Sequence, residues 1–113
     1  MMIELLRTPT HPGEILKEEF LVPLEITQGG LAKALHTSFR AINELVNEKR
    51  GITTEMALRL SKYFGATPQL WLNLQNQYDL YRVSHKKHDL FKNITRLEQD
   101  SLIVAEPRVR YGG

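Results

Sequence analysis

Residues 28–47 read QGGLAKALHTSFRAINELVN, and the spacing of their apolar side chains decides the fold. Leu31, Ala32 and Leu35 recur at the interval of one helical face, and Thr27 before them is a good N-cap. His36-Thr37 breaks the pattern. Thr37 or Ser38 can then cap a second short helix to about Val46, which buries Ile42 and Leu45. At about 100° per residue the face opposite that pair collects Arg40, Asn43, Glu44 and Asn47, with Phe39 near the N-terminal end. Ala32 is small where two such helices must approach closely.

Working outward, the remaining signals are helical as well. Pro12 and Gly13 open a helix carrying Ile15, Leu16 and Phe20. It is expected to stop near Leu21, because Val22 precedes Pro23 and is pushed toward extended geometry. Thr53 or Thr54 caps a helix ending at Phe64, with Gly65 placed for a left-handed C-terminal residue. Thr67-Pro68 starts a fifth helix that runs to about Arg82. No segment alternates with period two. The chain therefore reads as all-α: a five-helix bundle, with Leu90, Ile94 and Leu97 marking a further C-terminal helix. Residues 1–10 form an N-terminal arm, 11–85 the domain, and 86–113 an extension helical to about 104 and loose beyond.

Two short helices around a break of two or three residues are the helix-turn-helix arrangement, whose second helix enters the DNA major groove. The outward face suits that role. Arg donates in pairs to guanine, Asn can pair with adenine, Glu can accept from cytosine, and Phe39 can lie against a thymine methyl. Ser38, Phe39, Arg40, Asn43 and Glu44 are thus the expected base readers. Backbone contacts are expected from Thr27 and Gln28, where free N–H groups favour a phosphate, and from Thr37, Asn47, Lys49 and Arg50 around the groove.

Charge along the 113 residues is sided. The net charge is only +2, but residues 1–26 carry five acidic and two basic groups, whereas residues 27–51 carry four basic and two acidic ones. The absence of cysteine excludes disulfide scaffolds, Cys-ligated zinc and thiol catalysis. The start carries an early Glu4, and the longest apolar run, 102–105, is far short of the roughly 20 residues of a membrane span, so a soluble cytoplasmic protein without a membrane partner is expected. Enzyme chemistry finds no support. His85, His88 and Asp89 lack a second metal-binding anchor, and no Gly-rich phosphate loop follows a strand. No cofactor or metal is expected.

Three stretches carry a family resemblance: HPGEILKEEFLVPL at 11–24, TQGGLAKAL at 27–35 and INELVNEKRGITTEMALRLSKYFGATPQLWLNLQNQYDL at 42–80. In order and spacing they resemble HigA-type, VapI-like antitoxins within the phage-repressor (XRE-like) helix-turn-helix family. The resemblance implies a homodimer on a palindromic operator and a small mRNA-cleaving toxin of the HigB type as partner. It also places Ser38, Phe39, Arg40 and Glu44 at base-reading positions. The sequence departs from the family where His36 replaces the usual turn glycine, and where Gly29 and Gly30 replace helix-forming polar residues, each at about 1 kcal/mol relative to Ala.

Two surfaces complete the reading. Trp71, Leu74, Tyr78 and Tyr81, spaced 3, 4 and 3 apart, form a heptad-like seam expected to make the two-fold interface. Glu14 and Glu18 on the acidic first helix are the expected dock for a basic toxin. A stand-alone dimeric regulator without a toxin is the competing function.

Overall fold

The computed structural model describes residues 8–98, and these form five helices in a bundle followed by one helical turn. Helix α1 opens as Pro12–Ile15, widens into a π-helical stretch at Leu16–Leu21 and closes as Val22–Leu24. It is followed by α2 (Gln28–Ala34), α3 (Phe39–Val46), α4 (Thr54–Phe64), α5 (Pro68–Lys86) and the short α6 (His88–Phe91). No strand occurs among the described residues. The all-helical expectation is borne out.

Hydroxyl caps start four of the helices. Thr27, Ser38, Thr53 and Thr67 each accept a hydrogen bond from a backbone N–H in the first turn, satisfying donors that have no intrahelical partner. In α1 the cap is an imidazole. Buried His11 accepts from the Gly13 N–H through Nδ1 at 2.8 Å, and its ring stands edge-on to Tyr78.

The expected stop of α1 near Leu21 is corrected. In a regular helix Pro23 would strike the carbonyl four residues back. Here the preceding turns widen to the π spacing, so that the Val22 N–H donates to Lys17 O, five residues back, and the helix continues to Leu24. Glu25 then takes the left-handed conformation with φ 56°, and the Ile26 N–H closes the end on Leu21 O.

The core is one cluster to which α1 to α5 all contribute. Leu16, Leu31, Ile42, Leu45, Leu60 and Trp71 are fully buried, and Phe20, Phe64 and Leu74 pack against them. Burial of each such large side chain is worth roughly 1.5–3 kcal/mol. Contact between α1 and α3 is close enough to exclude a side chain: a Cβ on Gly13 would lie 1.8 Å from Leu45 O. Behind α3, Gln75 of α5 accepts from the Ile52 N–H at 2.7 Å and fixes the loop that follows the helix.

The α5 seam is corrected at its first position. Trp71 is fully buried and tilted against Phe20, so it is not available to a partner, whereas Leu74 is half-buried against the same core. Among the described residues the Trp71 Nε1 is a buried donor with no hydrogen-bond partner. Leaving such a group unpaired costs about 1–3 kcal/mol, so packing and not hydrogen bonding put the indole there. Tyr78 and Tyr81 are half-buried: Tyr78 against His11, and Tyr81 accepting a hydrogen bond from Thr8 of the arm at 3.0 Å. Helix α5 packs against both α1 and α4 and meets the arm through the Tyr81 hydroxyl.

Among the described residues of the C-terminal extension, the further helix spans His88–Phe91 and residues 92–98 are not helical; 99–113, to which the expected helix extends, lie outside the described residues, as do residues 1–7 of the arm.

Candidate nucleic-acid interface

Helices α2 and α3 are joined by the four residues 35–38, in a turn that repeats the ending of α1. The His36 N–H bonds to Lys33 O, the Thr37 N–H reaches back to Ala32 O, and His36 itself adopts φ 57°. The residue that stands in place of the usual glycine therefore takes the left-handed geometry regardless. One reason is Arg59 on α4, whose Nη1 donates to both Leu35 O and His36 O while Nη2 holds Glu55 at 2.8 Å. The two glycines of α2 do not kink it. Thr27 Oγ1 caps the Gly30 N–H at 2.9 Å, and the helix runs unbroken to Ala34.

The apolar half of α3 fixes its outward half. Ala41, Ile42, Leu45 and Val46 are buried, which leaves Phe39 exposed and turns Arg40 outward with 82% of its side chain accessible. The remaining polar groups form two linked sets. Asn43 Nδ2 donates to Gln28 Oε1 at 3.0 Å and accepts from Asn47 Nδ2 at 3.2 Å, so a ladder of amides ties α2 to α3. Glu44 receives Arg40 Nε at 2.8 Å on one carboxylate oxygen and Arg50 Nη2 at 2.7 Å on the other. The hydrogen bond from Arg40, and then that from Arg50, hold the Glu44 carboxyl below its ordinary range; the same bond raises Arg40.

The sequence-expected residues thus come together on one surface, but with divided tasks. Ser38 and Thr27 spend their hydroxyls capping their helices. Phe39, Arg40, Lys49 and Arg50 are exposed at the edge of the surface, Asn47 is exposed beside them, and Thr37 is half-buried in the turn. Asn43 and Gln28 bond to each other, and Glu44 bonds to the two arginines. Sequence reasoning missed Arg59 and Gln75. The Glu55–Arg59 spacing announces an i,i+4 pair, but not that the guanidinium also reaches the turn.

This geometry has counterparts among known proteins. A family model described as helix-turn-helix matches residues 16–71. The virulence-associated protein I of Dichelobacter nodosus is 52% identical over 80 residues, covering 71% of this chain and 74% of the relative. The chain belongs to the helix-turn-helix family. The resemblance to VapI-like and HigA-type proteins is borne out with it. Among solved structures, the Pseudomonas aeruginosa antitoxin HigA with the higBA promoter superposes with a TM-score of 0.74 at 40% identity, covering 78% of this chain and 96% of that one. The antitoxin GraA in complex with its operator gives a TM-score of 0.77 at 37% identity, covering 82% and 95%. Among the described residues, no helix of this helix-turn-helix protein is long and apolar enough to cross a membrane.

Proposed function

We propose that this chain is the antitoxin of a toxin–antitoxin pair, binding operator DNA as a repressor of its own promoter and neutralising an mRNA-cleaving toxin. The observation that carries the reading is the outward face of α3. Arg40 stands exposed at its edge, Lys49 and Arg50 flank it, and the whole face is held on a helix-turn-helix scaffold similar to two antitoxins solved with their DNA sites. Arg40 is the base reader, presenting its Nη groups to guanine; Phe39 meets the neighbouring pair; Gln28, Asn47, Lys49 and Arg50 hold the sugar-phosphate backbone.

A palindromic operator calls for two copies. With Trp71 inside the core, pairing falls to apolar groups that α5 leaves at least partly outside, chiefly Leu70 and Leu80. The toxin is a basic protein, as an enzyme acting on RNA tends to be, and its dock is the acidic side of α1. There Glu14 and Glu18 are exposed, with Val22 and Leu24 uncovered on the same helix.

The deciding experiment is a titration of the purified protein against the DNA immediately upstream of its own coding sequence, paired with co-expression of any small basic protein encoded beside it. Salt-dependent retention of that DNA, together with relief of growth arrest, is the expected result. Retention without a neighbouring toxin would leave a stand-alone regulator. Light scattering should give a dimer at micromolar concentration, and reversing Glu14 and Glu18 to Lys should weaken toxin capture while leaving DNA retention intact.

A further inference from the structure

Glu44 sits in the middle of the surface expected to touch DNA, yet both of its carboxylate oxygens are already taken. Oε2 accepts from Arg40 Nε at 2.8 Å, and Oε1 accepts from Arg50 Nε at 3.1 Å and Nη2 at 2.7 Å. The contact with Arg40 consumes the inner edge of that guanidinium. Its two terminal Nη groups make no hydrogen bond among the described residues, and they are the pair that fits guanine O6 and N7 end-on. The carboxylate also sets one negative charge between the two arginines of the face. A three-charge cluster that would be +2 without it carries +1.

We propose that Glu44 is a positioning residue that determines specificity: it aims Arg40 at guanine and withholds Arg40 and Arg50 from indiscriminate phosphate binding. Without it, Arg40 is a long, unrestrained cation that any nearby phosphate can claim, and Arg50 is free to do the same. Non-specific binding is almost wholly electrostatic, so it gains from that release. Specific binding depends on the direction of the Arg40 fork, so it loses. The residue type alone allows another role, acceptance of a hydrogen bond from cytosine. The occupied oxygens favour the first.

The inference rests on the DNA-binding reading, and its test separates the two. The probes are a duplex selected by the wild-type protein from a randomised pool and a scrambled duplex of the same composition, titrated by fluorescence anisotropy across a salt series. Glu44→Gln should raise affinity for the scrambled duplex by about fivefold at low salt and steepen its salt exponent by about one. It should also lower affinity for the selected duplex by about tenfold, within the range of a lost bidentate base contact. In an Arg40→Ala background the second effect should vanish. Glu44→Asp, which keeps the charge, should restore weak binding to the scrambled duplex. Three results would overturn the proposal. An unchanged scrambled affinity with a switched base preference on reselection would make Glu44 a direct reader. An equal loss on both duplexes would make it a structural residue. No preference of the wild type for any duplex would remove the DNA-binding reading itself.

Discussion

The two faces of α3 belong to one eight-residue helix and obey different rules. Inward, Ala41, Ile42, Leu45 and Val46 need only be apolar and correctly spaced, with Gly13 of α1 bare against the Leu45 carbonyl. Outward, the arrangement depends on partners from elsewhere: Gln28 from α2, Arg50 from the following loop, and Arg59 from α4 through the turn. The inner face is a matter of transfer free energy and tolerates alternatives of similar volume. The outer face is a set of directed bonds in which Asn43, Asn47, Arg50 and the Nε of Arg40 are each committed to a particular acceptor. The difference separates what substitutions should do: inner ones should unfold the domain, and outer ones should leave it folded with altered binding.

The largest effect expected is on the inner side. Leu45→Ala should cost about 2–5 kcal/mol by opening a cavity beneath the recognition helix, seen as a lower midpoint in urea. Gly13→Ala should follow at about 1–3 kcal/mol or more, because a Cβ at that point would meet the Leu45 carbonyl and force α1 and α3 apart. A Gly13→Ala protein as stable as wild type would break the comparison, since α1 would not then be seated on α3. Arg40→Ala is the outer counterpart. Its stability should stay within about 0.5 kcal/mol of wild type, while affinity for the selected duplex drops by about 1–3 kcal/mol with relaxed preference at one half-site position.

Acid should distinguish the faces as well. Burial pushes the His11 imidazole below its ordinary 6.5, with Glu48 and Asp79 partly opposing the shift. The unfolded chain therefore binds the proton more readily, and stability should fall as pH drops through 6.5 toward the lower folded value. Glu44 has a folded pKa below the ordinary 4.5, so what it contributes is present above that pH and is lost as pH falls further, through the folded value. Thermal midpoints measured against pH should show the first loss in wild type and a flatter profile as pH falls through 6.5 in His11→Asn, whose amide oxygen can still cap Gly13. An unchanged profile would remove His11 from the acid response.

How much of this was legible beforehand follows the same division. The helices, the caps Thr27 and Thr67 and the buried stripe of α3 could be read directly, since spacing and capping are local properties, whereas the choices of Ser38 over Thr37 and Thr53 over Thr54 came from the structure. The termination of α1 was misread because the rule for residues before proline assumes a regular helix, and the π turn supplies another solution. At Trp71 the α5 seam departs from the expectation because periodicity reports that a face is apolar, not what covers it; Trp71 faces Phe20 in the chain's own core. On the outer face, residue types grouped Phe39, Arg40, Asn43, Glu44 and Asn47 on one side of the helix, but the bonds of Glu44 to Arg40 and Arg50 depend on where the loop after α3 returns.

The smallest predicted effect lies where the two faces join. Three helix ends, at Glu25, His36 and Glu48, place a non-glycine residue at φ between 56° and 62°, whereas α4 ends on Gly65 at φ 88°. Each such residue carries roughly 1 kcal/mol or more of strain that glycine avoids. His36 is exposed, and Arg59 grips its carbonyl rather than its imidazole, so replacing it forfeits no side-chain hydrogen bond among the described residues. His36→Gly should therefore stabilise the domain by about 1 kcal/mol, or roughly 4–8 °C for a domain of this size. Because Arg59 already holds the turn in its final shape, affinity for the selected duplex should stay within about twofold, a shift of about 0.4 kcal/mol. A large gain in affinity with no gain in stability would mean that the turn is not set in the free protein, and that the outer face is assembled on DNA instead of beforehand.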